Sequence, residues 1–142
     1  MTVPSPTTVR QAAVLVALEG VAGLVAAADY VVSGFSGSDD PGMNKFGTAA
    51  WFAIIGGAVL AAGWALWTGR RWGRGVAVFA QLLLLPVSWY IAVGSQRWLY
   101  GIPVGIVALV TLVLLFTPSA VQWLGAQDAD DASADKSGPD TR

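Results

Sequence analysis

The chain has 142 residues, 55% of them apolar and only 12% charged, with a formal net charge of −1. A soluble domain of this size cannot cover so much apolar surface, and a nearly neutral chain has no field to steer nucleic acid. Cysteine and histidine are both absent, which excludes disulfides, thiolate nucleophiles, Fe–S clusters, His-ligated haem, histidine-based zinc sites and a histidine general base.

The apolar residues come in runs of about twenty, long enough to cross a bilayer as helices. Residues 1–8 are polar, contain prolines and read as a flexible arm. Span 1 covers about residues 9–32. Ala26-Ala27-Ala28 before Asp29 resembles a signal-peptide cleavage site. Glu19 interrupts the apolar region, however, and only Arg10 precedes it, so the span reads as uncleaved. A loop rich in Gly, Ser and Asp follows. Its Asp39-Asp40 pair has too few companion ligands for a Ca²⁺ or Mg²⁺ site and reads as solvated. No metal and no cofactor is expected.

Span 2 covers about residues 46–67. Ala49, Ala53, Gly57, Ala61 and Ala65 recur at i+4, a small-residue stripe that predicts close helix packing within the bundle or, less simply, against a second copy. The turn Trp67-Thr68-Gly69-Arg70-Arg71-Trp72-Gly73-Arg74-Gly75 carries three arginines and no acid. Span 3 covers about residues 75–94, with Pro86 expected to kink the helix. Arg74, Gln81, Ser88 and Ser95 are spaced by seven and share a face, which should point into the bundle because a buried amide facing lipid has no partner. Span 4 covers about residues 98–116. It carries Gly101-Ile102-Pro103-Val104-Gly105, a GxxxG near one end, with Pro103 in the early turns. Trp123-Leu124 is placed at the inner surface. Residues 125–142 are Asp, Ala, Ser, Lys, Gly and Pro in the main, and predict a disordered acidic cytoplasmic tail.

The positive residues set the direction. Arg10, Arg70, Arg71 and Arg74 fall on one side; Lys45 and Arg97 fall on the other. Basic residues stay cytoplasmic, so Arg70, Arg71 and Arg74 anchor the topology and both termini are expected inside the cell. The aromatics agree: Trp67, Trp72 and Trp123 fall at the inner boundary, and Tyr30, Trp51, Trp98 and Tyr100 at the outer one.

One residue stands out chemically. Glu19 lies nine residues beyond Arg10, about 13–14 Å deeper, close to the midplane. An acid at that depth is costly and is a functional-site candidate by default. Gly23, Ala26 and Tyr30 share roughly its face, which suits an inward orientation. Gln81, seven residues beyond Arg74 on a span of the same direction, falls within about one turn of its depth. Two roles follow: a polar strut joining spans 1 and 3, or a proton carrier, since burial favours the neutral form. Glu19, Gln81 and Ser88 form the candidate intramembrane polar site. Asp29 and Arg97 both fall near the outer boundary as a possible pair.

Four spans with a Glu embedded in the first are similar to the small multidrug resistance transporters, whose dimers exchange protons for cationic drugs through that Glu. In that family an Ala precedes the Glu by four residues, where this chain has Leu15. A second resemblance covers most of the chain. Arg70-Arg71-Trp72-Gly73-Arg74 opens a span, followed by Gln81-Leu82-Leu83-Leu84-Leu85-Pro86-Val87-Ser88-Trp89, the GxxxG at Gly101–Gly105 and a Leu114-Leu115-Phe116-Thr117-Pro118 ending. This looks like small four-span integral membrane proteins of actinobacteria, and implies a fold and a host but no activity.

The sequence therefore predicts an all-α, polytopic transmembrane four-helix bundle in the cell membrane, occupying residues 9–124. The expected surroundings are lipid and either other membrane proteins or a second copy. No nucleophile with its base is present, so the expected role is structural or accessory rather than enzymatic, with dimeric proton-coupled transport through Glu19 as the alternative.

Overall fold

Short side chains decide where the helices meet. The computed structural model describes residues 5–37 and 42–136. Its helices are α1 (Thr7–Phe35), α2 (Lys45–Trp67), α3 (Arg71–Trp89), a π-helical turn (Tyr90–Gly94), α4 (Trp98–Leu115) and α5 (Pro118–Lys136). No strand is present among the described residues. Four helical stretches are long and apolar enough to cross a membrane: α1, α2, α3 with its π turn, and α4. The chain is an all-α, four-helix membrane bundle.

Local chemistry sets the ends. The Asn44 side chain caps α2, accepting from the Gly47 N–H at 2.9 Å. Gly69 ends the run beyond α2 in the left-handed region (φ 77°), while the Arg70 N–H returns to the Ala65 carbonyl at 2.7 Å. A β-carbon on Gly69 would lie 2.8 Å from the Trp123 ring, so both conformation and space demand glycine there. Pro86 supplies no N–H and crowds the preceding turn. α3 nevertheless continues through Pro86 to Trp89, and a π turn follows, where the Ser95 N–H reaches back to the Tyr90 carbonyl at 2.9 Å.

α1 and α2 run antiparallel in backbone contact. A β-carbon added to Gly20 would lie 2.5 Å from the Leu60 nitrogen. One on Gly56 would lie 2.9 Å from the Leu24 nitrogen, and one on Gly63 would lie 2.8 Å from the Ala17 nitrogen. Gly73 is pressed likewise against Ala65, and Gly101 against the Ala92 backbone. The GxxxG of span 4 thus lies against α3 and the π turn.

The packing face of α2 is not the expected i+4 stripe. Ala49 and Ala65 are buried, but Ala53 and Ala61 are exposed and a β-carbon on Gly57 would meet nothing within 4 Å. Four residues advance a helix by 400°, so an i+4 row drifts about 40° per step and winds around to the outside. The contact face alternates steps of three and four through Gly56, Val59 and Gly63, which holds one side of the helix.

Inside and outside are graded by size. The core holds Ala12, Ala13, Val16, Val59, Ala62, Leu66, Ala77 and Leu115. The outer surface carries Ile54 and Trp64 at 69% exposure and Leu99 at 81%. A water-soluble monomer does not expose apolar area on this scale; hydrocarbon is the solvent that fits it.

The ends of the chain differ from the sequence reading. Thr7 and Thr8 belong to α1 rather than to a flexible arm, and the Thr8 and Ser119 hydroxyls are 3.1 Å apart. The tail expected to be disordered from residue 125 is helical as far as Lys136. Pro118 is well suited to open a helix, alanines favour its continuation, and α5 buries Ala120 and Leu124 against the bundle. Residues 1–4, the Asp39-Asp40 pair and residues 137–142 lie outside the described residues.

Substitutions at two glycines of α2 and its neighbour should separate the packed face from the open one. Gly20→Val is expected to destabilise the bundle by about 1–3 kcal/mol through overpacking. Gly57→Ala should remain within about 1 kcal/mol of wild type. Reversible unfolding in mixed micelles, followed by tryptophan fluorescence, measures both.

Candidate functional site: an intramembrane acid–amide pair

Glu19 sits on α1 between Val16 and Gly20, both buried. The Gly20–Leu60 contact fixes that stretch of α1 against α2 and leaves the adjacent face of α1 toward α3. Gln81 enters from α3, fully buried, and its Nε2 donates to Glu19 Oε2 at 2.5 Å. The two residues matched by depth are thus joined.

Ser88 does not join them. It is buried, but its Oγ donates to the Leu85 carbonyl at 2.7 Å. Two helical turns, about 10 Å, separate it from Gln81, and a serine on a helix readily bonds to a preceding carbonyl. It packs beside Gly105, where a β-carbon would come within 3.0 Å of the hydroxyl.

Asp29 and Arg97 are both exposed and form no ion pair with each other among the described residues. The outer end of α1 is held to α2 instead, by stacking of Tyr30 on Phe52 and an edge contact of Phe35 with Phe46. Arg97 lies in the turn after the π helix, where Gln96 takes a positive φ of 52°.

Thr111 on α4 was not singled out from the sequence. It is fully buried. Gly101 beside Ala92 and Gly105 beside Ser88 define an antiparallel register between α3 and α4, which carried further brings Thr111 to the level of Gln81 and Leu82. Its signal in the sequence is a lone hydroxyl in the apolar run Ala108–Leu115.

Three buried atoms here have no hydrogen-bond partner among the described residues: Glu19 Oε1, Gln81 Oε1 and Thr111 Oγ1. With an ionised Glu19, its Oε1 and the Gln81 Oε1 are both acceptors. A neutral acid has one O–H to donate, and can address the Gln81 carbonyl oxygen while the Gln81 amide addresses its other oxygen. The donor and acceptor inventory of the acid–amide pair is matched when the acid carries its proton.

The arginines gather at one end with different partners. Arg71 Nε lies 2.6 Å from Asp128 Oδ1 on α5, the arginine exposed and the aspartate partly buried. The Arg74 guanidinium lies over the Phe116 ring at 5.2 Å and that of Arg10 over the Trp67 ring at 4.7 Å. Arg70 precedes α3 as its N-cap residue without a side-chain cap bond.

No family model, curated protein or solved structure matches this chain.

A double-mutant cycle over Glu19→Leu and Gln81→Leu is expected to return a coupling of about 0.6 kcal/mol, at most about 1.7. Gln81→Leu alone should cost more than Glu19→Gln, because it strands a half-buried acid whereas the amide variant keeps a partner. Unfolding free energies in mixed micelles provide the four corners.

Proposed function

We propose that the chain is a non-enzymatic accessory or structural subunit that packs against other proteins of the cell membrane, with both termini on the cytoplasmic side. The observation that carries this reading is the Glu19–Gln81 hydrogen bond, which commits the acid of span 1 to holding α1 against α3. Interhelical polar contacts of this kind serve as glue in membrane bundles. The outward row Ala53, Gly57 and Ala61 adds a second support. It lies away from the α1 contact and leaves open space over Gly57, where a helix of a partner protein can approach closely. Four arginines at one end support the orientation. The chain's likeness to small four-span membrane proteins of actinobacteria fits this reading.

A second reading has one observation in its favour. The unpartnered Oε1 atoms of Glu19 and Gln81 suit a site that binds and releases a proton, as proton-coupled transport of small apolar or cationic molecules by a dimer requires.

Purification of tagged protein from its own membranes in native lipid separates the two. The accessory reading expects a stoichiometric hetero-complex that survives Glu19→Gln and is lost with Gly57→Leu. The transport reading expects a homodimer whose proton flux in liposomes disappears with Glu19→Gln.

A further inference from the structure

We propose that the groove between α1 and α4 at the arginine end binds one anionic phospholipid, with its phosphate at Arg10 and an acyl chain along Val14, Leu15, Val110 and Leu114. The groove has a volume of about 620 Å³, within the range of about 300–1,000 Å³ of small-molecule sites. Its walls are sorted by polarity. Thr7, Arg10 and Gln11 form one end, and the four apolar residues continue from them. Leu15 lies five residues beyond Arg10, about 7–8 Å deeper along α1. Headgroup chemistry therefore precedes hydrocarbon chemistry in the same order and direction as in a phospholipid.

The charge is placed to select an anion. The Arg10 guanidinium is held over the Trp67 ring at 4.7 Å, and Trp67 also lines the groove. No acid lines the groove, and no ion pair to Arg10 is formed among the described residues. Arg71, by contrast, has Asp128. Arg10 thus presents an oriented cation with no ion-pair partner among the described residues at the polar end of an open apolar groove, suited to charge-assisted bonding with a phosphate. Arg70, Arg71 and Arg74 at the same end add attraction for an anionic headgroup. A zwitterionic lipid would bring its own cation into this field.

The test is lipid retention by the full-length protein. Protein reconstituted in equal phosphatidylglycerol and phosphatidylcholine is re-extracted in mild detergent, and the bound lipid is quantified by mass spectrometry. Wild type is expected to keep about one phosphatidylglycerol per chain, enriched about tenfold over phosphatidylcholine, as one charge-assisted contact implies. Arg10→Gln should remove the enrichment and Arg10→Lys should keep part of it. Leu15→Trp leaves Arg10 in place and fills the apolar end; it should lower retention even if Arg10→Gln fails to fold. Arg74→Gln lies outside the groove and should lower the enrichment far less than Arg10→Gln. Equal retention of the two lipids by wild type overturns the proposal, as does undiminished retention in Leu15→Trp. Release of the bound phosphatidylglycerol by millimolar inorganic phosphate would overturn the assignment to a lipid.

Discussion

Backbone-to-backbone contact is the constraint on which this structure depends. In hydrocarbon there is no hydrophobic force pressing helices together, because lipid tails are as apolar as the side chains they would replace. What remains is close packing, and close packing needs glycine and alanine. Gly20 against Leu60, Gly56 against Leu24 and Gly63 against Ala17 lock α1 to α2 through their middle turns. Gly73 and Gly101 repeat the device between α2 and α3 and between α3 and α4. The larger apolar residues are left to the outside, where they face lipid.

The polar site inherits its geometry from that packing. The Gly20–Leu60 contact lies one residue from Glu19, so the position of the acid is set by a glycine rather than by its own bond. Gln81 is carried in by α3, whose start is fixed by the Gly73–Ala65 contact. A bond worth about 0.6 kcal/mol in such bundles does not assemble three helices; it chooses which of their faces meet once glycine contacts have brought them together. The unmatched oxygens of Glu19 and Gln81 follow from the same arrangement, since an acid and an amide facing each other need one more proton to satisfy both.

The arginine end is organised by stacking and turn chemistry. Gly69 leaves room for the Trp123 ring, which brings α5 under the turn and places Asp128 beside Arg71. With its arginine exposed, that pair contributes little by itself; burial of Ala120 and Leu124 does more to hold α5. Arg10 and Arg74 lie on aromatic rings instead of against acids. Their charges therefore remain outward-looking at a membrane surface.

By itself the sequence determined the solvent, the number of spans and the depth of the acid. These depend on runs of apolar residues and on a rise of about 1.5 Å per residue, quantities that add along one chain. Depth counting paired Glu19 with Gln81 for this reason. The tertiary structure alone decided which faces meet. It moved the α2 seam from the Ala49–Ala65 row to Gly56 and Gly63, because an i+4 row drifts around a helix of 3.6 residues per turn. It turned the Ser88 hydroxyl onto its own helix, where it donates to the Leu85 carbonyl, and not toward the acid–amide pair. It left Asp29 and Arg97 apart although they share a depth, because depth says nothing about azimuth, and azimuth is fixed by the aromatic contacts that hold α1 to α2. It extended helix into α5, where a marginal Ala- and Asp-rich segment gains from contacts that no local propensity records.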